Sequence, residues 1–179
     1  MDTIKWAKDD QSAWASQVAE YNGKYYLYYC SWDKTGKQSI GVATSDSPTG
    51  PFTDIGQPLV KGNVTKPQLS SFNDIDPTVW IETDETGTTH RYLAWGNGMF
   101  FICELNEDMI SVKDQNGDGE ITSGNNFTEA DIAYQKNGLE NYTEAPWLYR
   151  RQDENGNYYG DYYLFYANCL LYTSPSPRD

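Results

Sequence analysis

Asn73-Asp74-Ile75-Asp76-Pro77-Thr78-Val79-Trp80 is the stretch that decides how the rest of the chain is read. Asp76 stands directly before a proline, and a run suited to a buried strand, Thr78-Val79-Trp80-Ile81, follows at once. Proline fixes its own φ and biases the residue before it toward extended backbone, so the acid is expected in extended conformation at a strand entrance. The arrangement returns downstream as Glu144-Ala145-Pro146-Trp147-Leu148, and upstream, without an acid, as Trp14-Ala15-Ser16-Gln17-Val18. Three copies of one slot, matched at Ala15, Asp76 and Glu144, imply a symmetric fold that aims equivalent positions at a shared centre.

Around these slots the text alternates short strands with tight turns. Asn22-Gly23 marks a hairpin turn before Lys24-Tyr25-Tyr26-Leu27-Tyr28-Tyr29-Cys30-Ser31, a run with strong strand preference. Lys34 to Lys37 is a second turn, Gln38 to Ser45 another strand, and Ser47-Pro48-Thr49-Gly50-Pro51-Phe52 a loop dense in breakers. The pattern recurs with strands at Asp76–Ile81, Arg91–Trp95 and Met99–Leu105, and again from Glu144 through the turn at Glu154-Asn155-Gly156 to Tyr162–Tyr166. The period is roughly sixty to seventy residues once insertions are counted. No stretch has helical periodicity long enough for a βαβ crossover. Repeated meanders without crossovers predict an all-β propeller, its innermost strands lining a central channel.

Composition narrows the partners. Aromatic residues make up 15% of the chain, with 15 Tyr and 6 Trp, which suits both sheets and surfaces that stack on sugar rings. A net charge of -13 argues against nucleic-acid or anionic-membrane partners and fits a neutral ligand. No apolar run reaches the length of a membrane span. No signal peptide opens the sequence, but Met1 is followed at once by text of mid-domain character, so compartment is left open. Residues 169–179, Cys169-Leu-Leu-Tyr-Thr-Ser-Pro-Ser-Pro-Arg-Asp179, resemble one reading frame of a sequencing-library adapter, the alternative being a natural Ser/Pro tail. They are set apart from the fold, which leaves residues 1–168 as one partial propeller domain. Cys30 and Cys103, both in apolar or aromatic strand segments, are expected as buried free thiols.

In a propeller, Asp76 and Glu144 would face one pocket. Two carboxylates across a cleft are the machinery of glycoside hydrolysis, one donating a proton to the leaving oxygen and another activating water. Close like charges raise the pKa of one partner, which keeps a proton available near neutral pH. On spacing alone the two acids read equally well as turn acids bonded to nearby backbone N–H groups.

The motifs resemble glycoside hydrolase family 43, five-bladed propellers acting on xylan and arabinan side chains and oligomers. The matching text is Ala13–Val18 with Asn22–Tyr26, Ile40–Phe52, Asp74–Val79, Trp95-Gly96-Asn97, Leu105–Met109 and Glu144-Ala145-Pro146. The resemblance implies an inverting mechanism with three acids: an aspartate base, an aspartate that orients and tunes the acid, and a glutamate general acid. It assigns Asp76 the tuning role and Glu144 the general acid, and it places the base in a first blade ahead of the text that opens here. Asp2, Asp9 and Asp10 do not sit in a matching strand entrance and receive no role. The chain is therefore expected to be roughly three of five blades, inactive alone, from an exo β-xylosidase or α-L-arabinofuranosidase. Ser16 stands where many members have proline and Ala145 where many have glycine, which blurs the subfamily. A sugar-binding propeller without catalysis is the alternative. A fructan-cleaving propeller is a third reading, though its usual acid precedes a cysteine and Glu144 precedes Ala145-Pro146.

Two further residues are candidates for the sugar pocket. Trp14 offers an aromatic face to a sugar ring, or else packs between blades. Asp74 orients a sugar hydroxyl, or else caps the turn before Asp76.

In the insertion after the second copy, Asp114-Gln115-Asn116-Gly117-Asp118-Gly119-Glu120 matches the start of a calcium loop, with Asp114, Asn116, Asp118 and Glu120 as candidate Ca2+ ligands. The closing acid due at position 125 is Asn125, so a polar Asx-rich hairpin is the plainer reading of the 114–125 loop. No cofactor is required by the chemistry. His90 is the single histidine, placed in a polar turn, which disfavours a His-rich zinc site or a His-based triad.

Overall fold

The computed structural model describes residues 4–8, 13–123, 131–135 and 139–168. Among them are ten strands and no helix, arranged in three antiparallel sheets. The first sheet holds β1 (Trp14–Tyr21), β2 (Lys24–Trp32), β3 (Gln38–Ser45) and β4 (Thr53–Asp54). The second holds β5 (Thr78–Thr83), β6 (Thr89–Trp95), β7 (Phe101–Glu104) and β8 (Ile132–Tyr134), and the third β9 (Glu144–Gln152) and β10 (Tyr158–Ala167). Strand order within each sheet follows the sequence, so each is a meander, the unit of a propeller blade. The leading strands lie against one another, β1 on β5 and β5 on β9. The described residues form a partial all-β propeller of two four-stranded blades and a two-stranded third sheet.

Turn chemistry sets the hairpins. Asn22 and Gly23 both have positive φ, 51° and 75°, the geometry whose twist matches the flanking strands. The β5–β6 and β9–β10 hairpins use an Asp instead. Asp84 Oδ1 accepts from the N–H groups of Thr86 and Thr88, and Asp153 Oδ1 from those of Asn155 and Asn157. The sequence reading missed β4 and β8, which are only two and three residues long. His90 lies on β6, between Asp84 and Glu104 at 3.2 Å each, rather than in a turn.

The main core fills the seam between the first two blades. Tyr28, Ile40 and Val42 pack with Leu93, Trp95, Phe101 and Met109, all fully buried. Tyr28 carries its hydroxyl into this seam and donates to the Met109 carbonyl at 2.7 Å, so the buried polar group is paired. Burial pushes the thiol of Cys30 up to about 12 and that of Cys103 up as well, so both behave as inert apolar side chains. On the far side of the first blade, Trp6 stacks on Tyr29 with centroids 6.0 Å apart. Gly41 on β3 lies beneath those rings, where an added Cβ would come within 2.4 Å of the Tyr29 ring. The third blade turns an aromatic face outward: Trp147, Tyr149, Tyr163 and Phe165 are all exposed.

Asp74 is part of this core. It is 1% exposed, Trp95 Nε1 donates to its Oδ1 at 2.7 Å, and Thr65 Oγ1 donates to its Oδ2 at 2.9 Å. Burial pushes the Asp74 carboxyl up to about 7 against the pull of these two donors. It therefore anchors the loop before β5 to β6, and the expectation that it meets a sugar hydroxyl is corrected: both oxygens are engaged beneath the surface.

Two outcomes follow from this packing. The folded carboxyl of Asp74 titrates above its ordinary 3.8, so its contribution to stability is fully present below about pH 4 and is lost as pH rises through about 7. Asp74→Asn removes that loss, and its melting temperature falls less than wild type's between about pH 5 and 8 by circular dichroism; parallel curves would count against it. Gly41→Ala costs about 1–3 kcal/mol in urea unfolding, because two stacked rings must shift to admit one methyl.

Candidate active site

At the entrance of each leading strand stands a residue in left-handed backbone: Ala15 at φ 49°, Asp76 at 57° and Ala145 at 56°. The expectation that Asp76 is extended before its proline is thus overturned. The local preference of a residue preceding proline is outweighed by the strand entrance, where the chain must bend before joining the sheet. The register skips there too, between Trp14 and Gln17 in the first blade and between Phe165 and Ala167 in the third. Irregularities of this kind re-aim a side chain at the end of a strand. A left-handed non-glycine residue costs about 1–2 kcal/mol, and glycine would avoid that cost at position 145.

These dihedrals also shift the alignment of the three slots by one. The equivalent residues are Ala15, Asp76 and Ala145, so Glu144 sits one position ahead of the slot rather than in it. Asp76 and Glu144 are not rotated copies of each other. They share one seam through a bond from main chain to carboxylate: Ala145 N–H donates to Asp76 Oδ2 at 3.0 Å between the second and third blades.

A turn wedged into that seam holds the second acid. Asn97 Nδ2 donates to Glu144 Oε2 at 2.8 Å. The turn is tied to the Asp76 loop by Gly96 N–H on the Ile75 carbonyl (2.9 Å) and Asn97 N–H on the Asn73 carbonyl (3.0 Å). It is tied to the third blade by Gly98 N–H on the Thr143 carbonyl (2.7 Å), and Tyr142 donates its hydroxyl to the Gly96 carbonyl (2.9 Å). Gly96 is required here: at φ 138°, an added Cβ would fall 1.9 Å from the Met99 carbonyl oxygen.

The electrostatics report the same convergence. Burial, and after it the negative charge of Glu144, raise the Asp76 carboxyl above its ordinary value, while the Ala145 N–H opposes them. The Tyr142 hydroxyl is raised by burial and then by the charges of Asp76 and Glu144. Trp14, partly exposed, begins β1, with Cys30 Sγ on its carbonyl at 3.4 Å. Asn97 and Tyr142 were not singled out from sequence. The Trp95-Gly96-Asn97 turn was readable, but its contact with Glu144 spans 47 positions and has no local signature.

The calcium-like loop belongs to the insertion between β7 and β8. Asp114 Oδ1 and Oδ2 accept from Gly117 and Gly119 N–H at 2.7 and 2.9 Å, and Asn116 Nδ2 donates to Asp118 Oδ2 at 3.0 Å. Asp114 and Asp118 belong to an acidic cluster whose third member is Asp131, not Glu120. Glu120 instead gives its N–H to Asp118 Oδ1 at 2.7 Å. Asn125, Asp2, Asp9, Asp10 and the adapter-like segment 169–179 lie outside the described residues.

Paired carboxylates at a blade seam, one hydrogen-bonded by an amide and the other partly desolvated, are suited to proton transfer at a glycosidic oxygen. Comparisons with known proteins point the same way. A xylosidase/arabinosidase of Humicola insolens is 38% identical over 54% of this chain and 26% of its own. A β-D-galactofuranosidase of Aspergillus niger is 34% identical over 90% of this chain and 41% of its own. The structure of an α-L-arabinofuranosidase from Clostridium thermocellum superposes with a TM-score of 0.65 at 28% identity, covering 94% of this chain and 45% of that one. The chain thus spans less than half the length of these three. The family model "Glycosyl hydrolases family 43" matches residues 1–174, and the chain belongs to that family.

Proposed function

We propose that these blades carry the general acid and its positioning partner for an inverting hydrolysis of xylosyl or arabinofuranosyl linkages in xylan- and arabinan-derived saccharides. The observation that carries the reading is the bond from Ala145 N–H to Asp76 Oδ2, which fixes the two carboxylates at one seam. Glu144, held through Oε2 by Asn97, gives its proton to the leaving oxygen. Asp76, locked by the amide, orients it and sets the local charge. Trp14 forms an apolar wall for the sugar ring. The names of two relatives, a xylosidase/arabinosidase and an α-L-arabinofuranosidase, support the substrate class. The chemistry needs no cofactor, and an ion at the 114–120 loop would brace the insertion rather than react. A net charge of -13 favours a neutral saccharide partner over nucleic acid or anionic membrane.

The activating base is unassigned and is proposed to come from outside the described residues. The 179-residue chain alone is accordingly expected to leave xylo-oligosaccharides, aryl β-xylosides and aryl α-L-arabinofuranosides intact; xylo-oligosaccharide turnover by this chain that Glu144→Gln abolishes would overturn this. In the complete five-bladed protein, Glu144→Gln lowers kcat about 10²–10⁴-fold on a xylo-oligosaccharide and far less on an aryl glycoside with an acidic leaving group. Asp76→Asn lowers kcat and moves the pH optimum, and proton NMR of the first-formed sugar shows the inverted anomer. Equal losses of Glu144→Gln on both leaving groups would remove it as the acid.

A further inference from the structure

The insertion between β7 and β8 contains a second constellation that the hydrolase reading does not use. Asp114, Asp118 and Asp131 each place a carboxylate oxygen within 4.8 Å of the others. Asp114 and Asp118 are exposed and sit on a loop folded by its own hydrogen bonds, with left-handed glycines at Gly117 (φ 74°) and Gly119 (φ 82°). Asp131 is different. It is 1% exposed, immediately precedes β8, and accepts the Gln115 N–H on Oδ1 at 2.6 Å. Its Oδ2 is buried with no hydrogen-bond partner.

A buried carboxylate oxygen without a partner costs about 1–3 kcal/mol or more, and two further acids nearby add repulsion. No Lys or Arg among the described residues forms an ion pair with any of the three; Lys113, next in sequence, is bound to Glu104 at 2.9 Å. A bound cation would supply the counter-charge. The donors are all oxygen, from three carboxylates, on an adaptable loop that leaves lone pairs for water, which suits Ca2+ better than a metal demanding nitrogen or sulfur.

We propose that Asp114, Asp118 and Asp131 form a Ca2+ site that fastens the insertion to the outer strand of the second blade, with Asp131 supplying the closing carboxylate that the loop lacks at position 125. The site is structural. It stands whether or not Asp76 and Glu144 are catalytic, since none of its residues belongs to that seam.

The test is titration of the EDTA-stripped 179-residue chain with CaCl2 by isothermal calorimetry, alongside thermal unfolding. One Ca2+ per chain is expected, with a melting temperature raised by roughly 5 °C or more at saturating ion and a smaller response to MgCl2. Asp118→Asn, an exposed change that spares the fold, abolishes the binding heat. Asp131→Asn abolishes it too and melts no lower than wild type in EDTA, because it removes an uncompensated buried charge. Absence of heat and of a thermal shift at millimolar Ca2+ would overturn the site. Retention of either by Asp131→Asn would overturn the role of Asp131, and an equal response to Mg2+ would overturn the choice of metal.

Discussion

One amide sets the geometry of the candidate active site. The Ala145 N–H that reaches Asp76 Oδ2 belongs to the residue after Glu144, so a single bond fixes the spacing of two carboxylates that lie on different blades. Ala145 is free to make it because its backbone is left-handed, which bends β9 at its first residues and turns the N–H toward the neighbouring blade. The strain at Ala145 and at Asp76 is matched on both sides of the seam. Backbone strain of this kind persists only where the surroundings over-determine it. Here the Gly96–Gly98 turn does so, through three backbone bonds and the Asn97 side chain.

The blades themselves were legible in the text because their signals are local. Tyr-rich runs between Asn-Gly and Asp-x-x-Gly turns carry strand preference and hairpin geometry within a few residues. Asp33, Asp84 and Asp153 even fold their turns by the same side-chain-to-backbone bonding. Yet the first of these joins the second and third strands of its blade, whereas the others join the first and second. The same turn therefore does not mark the same place. β4 and β8 escaped notice because two or three residues, added to an existing sheet edge, need no pattern of their own.

The two acids were singled out in the text, but the backbone relation between them was not. Matching Glu144 to Asp76 by text aligned two acidic residues before small or cyclic neighbours. The backbone aligns Ala145 with Asp76, because what repeats is a bend and not a charge. Asp74, two residues from Asp76, reads as equally available in sequence but is buried under Trp95 and Thr65. Asp131 shows the same limit from the other side: its place near Asp114 and Asp118 depends on β8 returning beside the loop, which no spacing rule contains. Local propensity writes the strands, while the seams between them come from tertiary packing.

The seam between the second and third blades has a consequence for heat tolerance. Among the described residues its joints include the Ala145 amide, the Asn97 turn, the outer link in which Glu82 accepts from Tyr162 and Arg150, and the tilted contact of Trp80 with Tyr158. Each sheet, by contrast, is cross-linked along its length by ladder bonds. Parts of a protein open at different free energies, and weakly tied units open first. Warming therefore separates the two carboxylates by blade splaying while the strands are still intact.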